Sequence, residues 1–165
     1  MDYIKETLEH ISHVQRYLAG VIADLLARSN CHDYTKFEPI ERGLMEKHMP
    51  EMAGMTYNSP EYKAVLEKMK PALEHHYSSF RHHPEHFEDG MVQMNLVDLI
   101  EMICDWKAAS MRHNDGSIWK SIEINQKRFG YSDELKRVFE NTAAYLWGNR
   151  YLWDGRSADE GDEHK

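Results

Sequence analysis

The sequence predicts an all-α protein, and three observations carry that reading. Apolar residues recur at spacings of three and four along most of the chain, helix-start and helix-stop residues punctuate them, and no run shows the two-residue period of a strand. From Ile4 to Ala27 the residues Ile4, Leu8, Ile11, Val14, Leu18, Val21, Ile22 and Leu25 define one face of a long helix. Ser29-Asn30 breaks the pattern just before Cys31-His32-Asp33. Glu38 to His48 reads as a short helix, and PEMAGMTYNS as a loop punctuated by Pro50, Gly54 and Asn58. Ser59-Pro60-Glu61 is a helix start, with an N-cap serine and proline at the first helical position. That helix runs towards Phe80, with Pro71 removing one backbone bond and kinking it. HHPEHFEDG reads as a turn or broken helix. Asn95 to Arg112 is the strongest helix, expected to bury Leu96, Leu99, Ile100, Ile103, Trp106 and Ala109 or Ser110. Asn114-Asp115-Gly116 ends it, Ser117 caps a helix to Phe129 closed by Gly130, and Ser132 caps a last one through about Leu146.

At 165 residues the chain is read as one domain over 1–154, followed by an acidic flexible tail over 155–165 that holds four of the 28 acids. Hydrophobic residues make up 41% and charged residues 29%, a globular balance. The net charge of −8 excludes a general nucleic-acid binder, which needs a basic footprint. An anionic substrate therefore requires a local metal or cationic cluster. Two cysteines without CxxC spacing give neither a zinc ribbon nor a disulfide scaffold and fit a reducing cytosol. No apolar run reaches membrane-spanning length and the start is no signal peptide, so the expectation is a cytoplasmic protein with no membrane partner.

Histidines and carboxylates carry the chemistry. His32-Asp33, with Lys36 three residues on, stands among His10, His13, His75, His76, His82, His83 and His86, with Asp98 and Asp105 beyond. Neutral imidazole and carboxylate are ligands for divalent first-row metals. His10 and His13 can share one side of the first helix, and Asp98, Glu101 and Asp105 one side of another. Carboxylates beside an apolar face are costly unless paired or metal-bound. Adjacent histidines on a helix diverge by about 100°, so one of each pair is expected to reach a given ion.

On these residues the chain resembles the HD superfamily of metal-dependent phosphohydrolases, which are helical. His10 with Val14 four residues later, the HDYTK form of HDxxK, and CDWKAA with Asp105 and Ala109 match its pattern. The resemblance favours His10 over His13 and Asp105 over Asp98, and it implies an HD-domain-like helical bundle. HHPEHFEDG loosely resembles the HHExxDG stretch of cyclic dinucleotide phosphodiesterases, but Met91-Val92 stand after Gly90 and the GYP signature is missing. HHYSSFRHHPEHF, NLVDLIEMICDWKAA and SIEINQKRFGYSDEL resemble a small uncharacterised family of bacteria and phages, which covers most of the length and implies no substrate.

The activity expected from the resemblance is hydrolysis of a nucleotide or another small phosphate ester, with one or two divalent ions (Fe, Mn, Zn, Co or Mg, not distinguished) as cofactor. His10, His32, Asp33 and Asp105 would hold one ion. His76 and His83, or their neighbours His75, His82 and His86, would hold a second, with His13 and Asp98 as alternates. Asp33, Lys36 and Glu101 are the catalytic candidates, Glu101 by orienting a ligand histidine, and Lys36, Arg81 and Arg112 would bind phosphate. Two other readings compete: a di-iron oxygenase on the same ligand set, and a non-catalytic metal-binding helical interaction protein. Tyr145, Trp147, Tyr151 and Trp153 are expected to pack on the core, although their density also suits a homodimer.

Overall fold

The computed structural model describes residues 2–55, 59–112 and 116–148. The protein is all-α as expected: the described residues form seven α-helices and four short 3₁₀ turns, with no strand among them. No helix among them is long and apolar enough to cross a membrane. The described residues form two compact units, one up to Glu101 and one from Met102. The expected acidic tail, with Tyr151 and Trp153, lies outside the described residues.

The first unit begins with α1 (Tyr3–Cys31), whose N-terminus is closed by Asp2 accepting from the Lys5 N–H. The apolar face read from the sequence is present, yet none of the helix's side chains is buried; Ile4, Leu8, Leu18 and Ile22 are each more than half exposed. A 3₁₀ turn (Tyr34–Phe37) leads into α2 (Pro39–His48), which packs against α4 (Lys70–Ser79). The single helix expected from Ser59 to Phe80 is two: α3 (Pro60–Lys68), capped by Ser59, ends at Met69 and α4 restarts at once. Pro71 sits in the first turn of α4, where a missing N–H costs nothing, so proline divides the segment here and does not kink it. Val65, Met69, Ala72 and Phe80 are its buried apolar residues.

α5 (Leu96–Ser110) opens on Asn95, whose side chain accepts from the N–H groups of Val97 and Asp98. Its buried side is in part the one expected: Ile103 and Ser110 are buried and Leu99 and Trp106 half-buried. Leu96 and Ile100 are exposed instead, and Asp98 and Met102 are buried, with ion pairs to Arg28 and Arg81 holding Asp98 inward.

In the second unit, α6 (Ile118–Phe129) and α7 (Asp133–Trp147) pack together, burying Ile118, Ile122, Phe139 and Ala143. Trp106 stacks near Phe129 and Tyr131 and meets Phe139 edge-on, while Tyr145 at the end of α7 is exposed. Ser132 caps α7 through the Leu135 N–H, but Ser117 stands at the start of α6 without a side-chain cap bond. Gly130 closes α6 at φ 67°, in the left-handed region, and a Cβ there would meet nothing within 4 Å. The cost of a side chain is therefore conformational alone. Gly130→Ala is expected to lower stability by about 1 kcal/mol in urea unfolding, with the fold retained.

Candidate metal centre

Three short stretches of the first unit build one polar cluster. α1 delivers His32 and Asp33 just past its end, α4 delivers His76 in its last turn, and the following bend delivers His82 and His83. Asp33 is the pivot. It is the only non-glycine residue with positive φ among those described, at 57°. That conformation is uncommon for a side-chain-bearing residue, though more accessible to aspartate than to most. It starts the 3₁₀ turn in which the Lys36 N–H donates to the Asp33 carbonyl, and it brings the Lys36 ammonium onto the Asp33 carboxylate.

The bend that carries His82 and His83 has a local cause. Phe80 leaves α4 in extended conformation, is itself buried, and its carbonyl accepts from the His83 N–H. Pro84 then begins a 3₁₀ turn. The Phe80 ring lies 5.0 Å from that of His76 and 5.4 Å from that of His82, giving the cluster one apolar wall.

The imidazoles converge by their Nε2 atoms. His76 Nε2 is 3.2 Å and His82 Nε2 3.5 Å from Asp33 Oδ1, and His32 Nε2 is 3.5 Å from Asp33 Oδ2. Asp33, His76, His82 and His83 each offer a donor atom, all within 4.8 Å of one another. Asp33 Oδ1, His76 Nε2 and His82 Nε2 are buried and make no hydrogen bond within the protein. Buried polar atoms of that kind are costly unless an ion or a water satisfies them.

The opposite ring edges face carboxylates. Glu101 Oε1 lies 2.9 Å from His32 Nδ1 and 3.1 Å from His82 Nδ1. Glu41, fully buried, reaches His75 Nδ1 at 2.7 Å with one oxygen and His76 Nδ1 at 3.0 Å with the other. A carboxylate on Nδ1 holds the imidazole in the tautomer that turns the Nε2 lone pair towards a metal. Burial alone would raise the Asp33 and Glu101 carboxyls. His76, His82 and Lys36 around Asp33 outweigh it, as do His32, His82 and Arg28 around Glu101, and both groups lie well below the usual carboxylate range. His82 is raised, because Asp33 and Glu101 outweigh the burial that would lower it.

Several sequence expectations need correction. His10 and His13 are exposed on α1, and His10 precedes Cys31 by 21 residues, about 30 Å along the helix, so neither joins the cluster of its own chain. Asp98 is not with the imidazoles. It takes Arg81 in a two-pronged bond at 3.1 and 3.0 Å and Arg28 at 2.8 Å, so Arg81 is committed to a carboxylate and also lies over Phe87. His86 Nδ1 bonds the Tyr77 carbonyl, and His75 faces Glu41 and Glu38. Of the adjacent pairs, His76 is the inward member of the first, whereas both His82 and His83 enter the cluster. Asp105, half-buried on α5 four residues after Glu101, needs no such correction and remains a candidate ligand with His32 and Asp33; Arg112 is exposed beyond the end of that helix.

Sequence reasoning missed Glu41, Thr35 and Arg28. Thr35 Oγ1, buried, lies 3.2 Å from His76 Nδ1, and Arg28 bridges Asp98 and Glu101. Glu41 had a signal: it occupies the first place of the helical stripe Glu41, Leu44, Met45, His48, where an apolar residue belongs.

Fold and cluster together define an all-α protein with the donor set of a divalent-metal site. The chain belongs to the Family of unknown function (DUF5662), whose profile matches residues 1–147. No curated protein and no solved structure matches it.

The Asp98 carboxyl is lowered from its ordinary value, since Arg81, the Asn95 N–H and Arg28 outweigh its burial. A depressed carboxyl stabilises the fold above its unfolded value of about 4 and loses that contribution as pH falls through the folded value. Asp98→Asn is expected to cost about 3 kcal/mol at pH 7. The gap from wild type should narrow below about pH 4, read by denaturant unfolding at both pH values.

Proposed function

We propose that this protein is a metal-dependent phosphohydrolase acting on a nucleotide or another small phosphate ester. The observation that carries the reading is the convergence of His76 and His82 Nε2 with Asp33 Oδ1, buried and without hydrogen bonds, beside a lysine. The resemblance to the HD superfamily at His32, Asp33 and Lys36 supports the same reading. Asp33, His76, His82 and His83 would hold the ion, with His32 at the other carboxylate oxygen. A histidine-rich set of this kind favours Fe, Mn, Co or Zn over Mg. Such an ion supplies polarisation of a phosphate oxygen and an activated water at neutral pH.

The chain's own residues do the rest. Glu101 and Glu41 are positioning residues that fix the imidazole rings through Nδ1. Lys36, partly exposed beside Asp33, offers an ammonium to a phosphate oxygen as negative charge develops there. Phe80 keeps water from one side of the cluster.

Metal content by plasma mass spectrometry, on tag-free protein, tests the centre. At least one equivalent of a first-row ion is expected, lost in Asp33→Ala together with Mn²⁺-stimulated hydrolysis of bis(p-nitrophenyl) phosphate and p-nitrophenyl phosphate. Metal without turnover on a wide panel of phosphate esters would leave a binding protein. Bound iron with substrate-dependent oxygen uptake would replace hydrolysis by oxygenation.

Glu41→Gln keeps the shape of the side chain and removes its charge. It is expected to weaken metal affinity about 10-fold or more, measured by competition with a chromophoric chelator, while the helical circular dichroism is kept.

A further inference from the structure

We infer that the apolar face of α1 is covered by the same helix of a second copy of this chain. The helix has 29 residues, about 43 Å at its rise per residue, and buries no side chain. Ten large apolar residues from Tyr3 to Leu26 are exposed along it, Ile4 at 69%, Leu8 at 61% and Leu18 at 57%. Helices in proteins owe most of their stability to packing of an apolar face, and contiguous exposed apolar surface of this extent marks an interface.

Three features select a second copy as the occupant. The first is periodicity. Ile4, Ile11, Leu18 and Leu25 recur every seven residues, and Leu8, Gln15 and Ile22 do the same four residues further on. Apolar residues alternating at three and four in a seven-residue repeat pack best into the holes of an identical stripe, and a lone polar residue in such a seam sets register.

The second is charge. The chain carries −8, yet α1 has three basic side chains (Lys5, Arg16, Arg28) and three acidic ones (Glu6, Glu9, Asp24). Two copies repel each other over most of their surface and not along this helix. The third is size. Pairing two helices of this length removes on the order of 1,000 Å² from water, the lower bound for a specific interface.

The test is the mass of the full chain by sedimentation equilibrium across a concentration series. One chain is 19.5 kDa, so about 39 kDa is expected at the upper concentrations. Ile11→Glu combined with Leu18→Glu should weaken association at least 100-fold. Arg16→Glu, on the opposite side of the helix, should leave the dimer intact. A monomer at every concentration, or a dimer that survives the double substitution, overturns the inference.

Hydrogen exchange on the unmodified protein keeps the question open to disproof even where the double variant fails to fold. Protection of the amides from Leu8 to Leu25 should rise with protein concentration in step with the dimer. Protection that is independent of concentration would mean that the face is covered within one chain.

Discussion

Everything in the first unit is arranged around one carboxylate that has no business being dry. Asp33 is largely buried, in a backbone conformation that disfavours side chains, and it is faced by three imidazoles and an ammonium. Taking a carboxylate out of water costs several kcal/mol unless positive charge answers it. The answering charge comes from three directions in the sequence: the turn that follows α1, the end of α4, and the bend after it. No one of those stretches makes the site, and each is held in place by a different local device. These are the left-handed residue itself, the helix restart at Met69, and the buried Phe80.

Around that pivot the other acids are sorted by partner. Glu41 and Glu101 face imidazoles, whereas Asp98 faces guanidinium groups. The sorting has a physical basis. A carboxylate on imidazole Nδ1 orients the ring and leaves Nε2 directed away from it, towards Asp33. A carboxylate locked between two arginines is already neutralised and offers little to a metal. Arg28 belongs to both sets, since it bonds Asp98 and Glu101 at once. It thereby ties the last turn of α1 to the first turns of α5, and so fixes the helix end from which His32 and Asp33 depart.

The sequence made the helices readable, and the membership of the cluster only in part. Helix positions follow from apolar spacing and caps, which are local, and Ser59, Asn95, Gly130 and Ser132 each mark a boundary that the structure keeps. His32, Asp33, His76 and His83 stand out in the sequence because the residue types that could hold an ion are few, and the structure brings these four together. His10 was not separable from them by sequence, since a histidine on a helix carries no information on which end of that helix the site adopts. Glu41 is hard to single out because an acid in an apolar register reads as an ordinary break in the stripe until its imidazole partners are known. Asp98 and Leu96 were misplaced for a related reason: a pair of distant arginines, Arg28 and Arg81, outweighs the apolar pattern in setting which side of α5 turns inward.

The same helix that leads into the cluster buries none of its own side chains, and the two facts bear on each other. Leu25 and Arg28 are half-buried near its end, while its preceding turns face solvent over almost their whole length. A helix held only at one end frays from the other, because nucleation is costly and each exposed apolar side chain contributes nothing to the helical state. Fraying that reached the last turn would loosen Arg28 and with it Glu101, which bonds His32 Nδ1 and stands 3.1 Å from His82 Nδ1. Packing along the outer face of α1 would oppose that, although it lies about 30 Å from the imidazoles at its far end. Order at the imidazole and carboxylate cluster thus depends on a surface that carries none of its members.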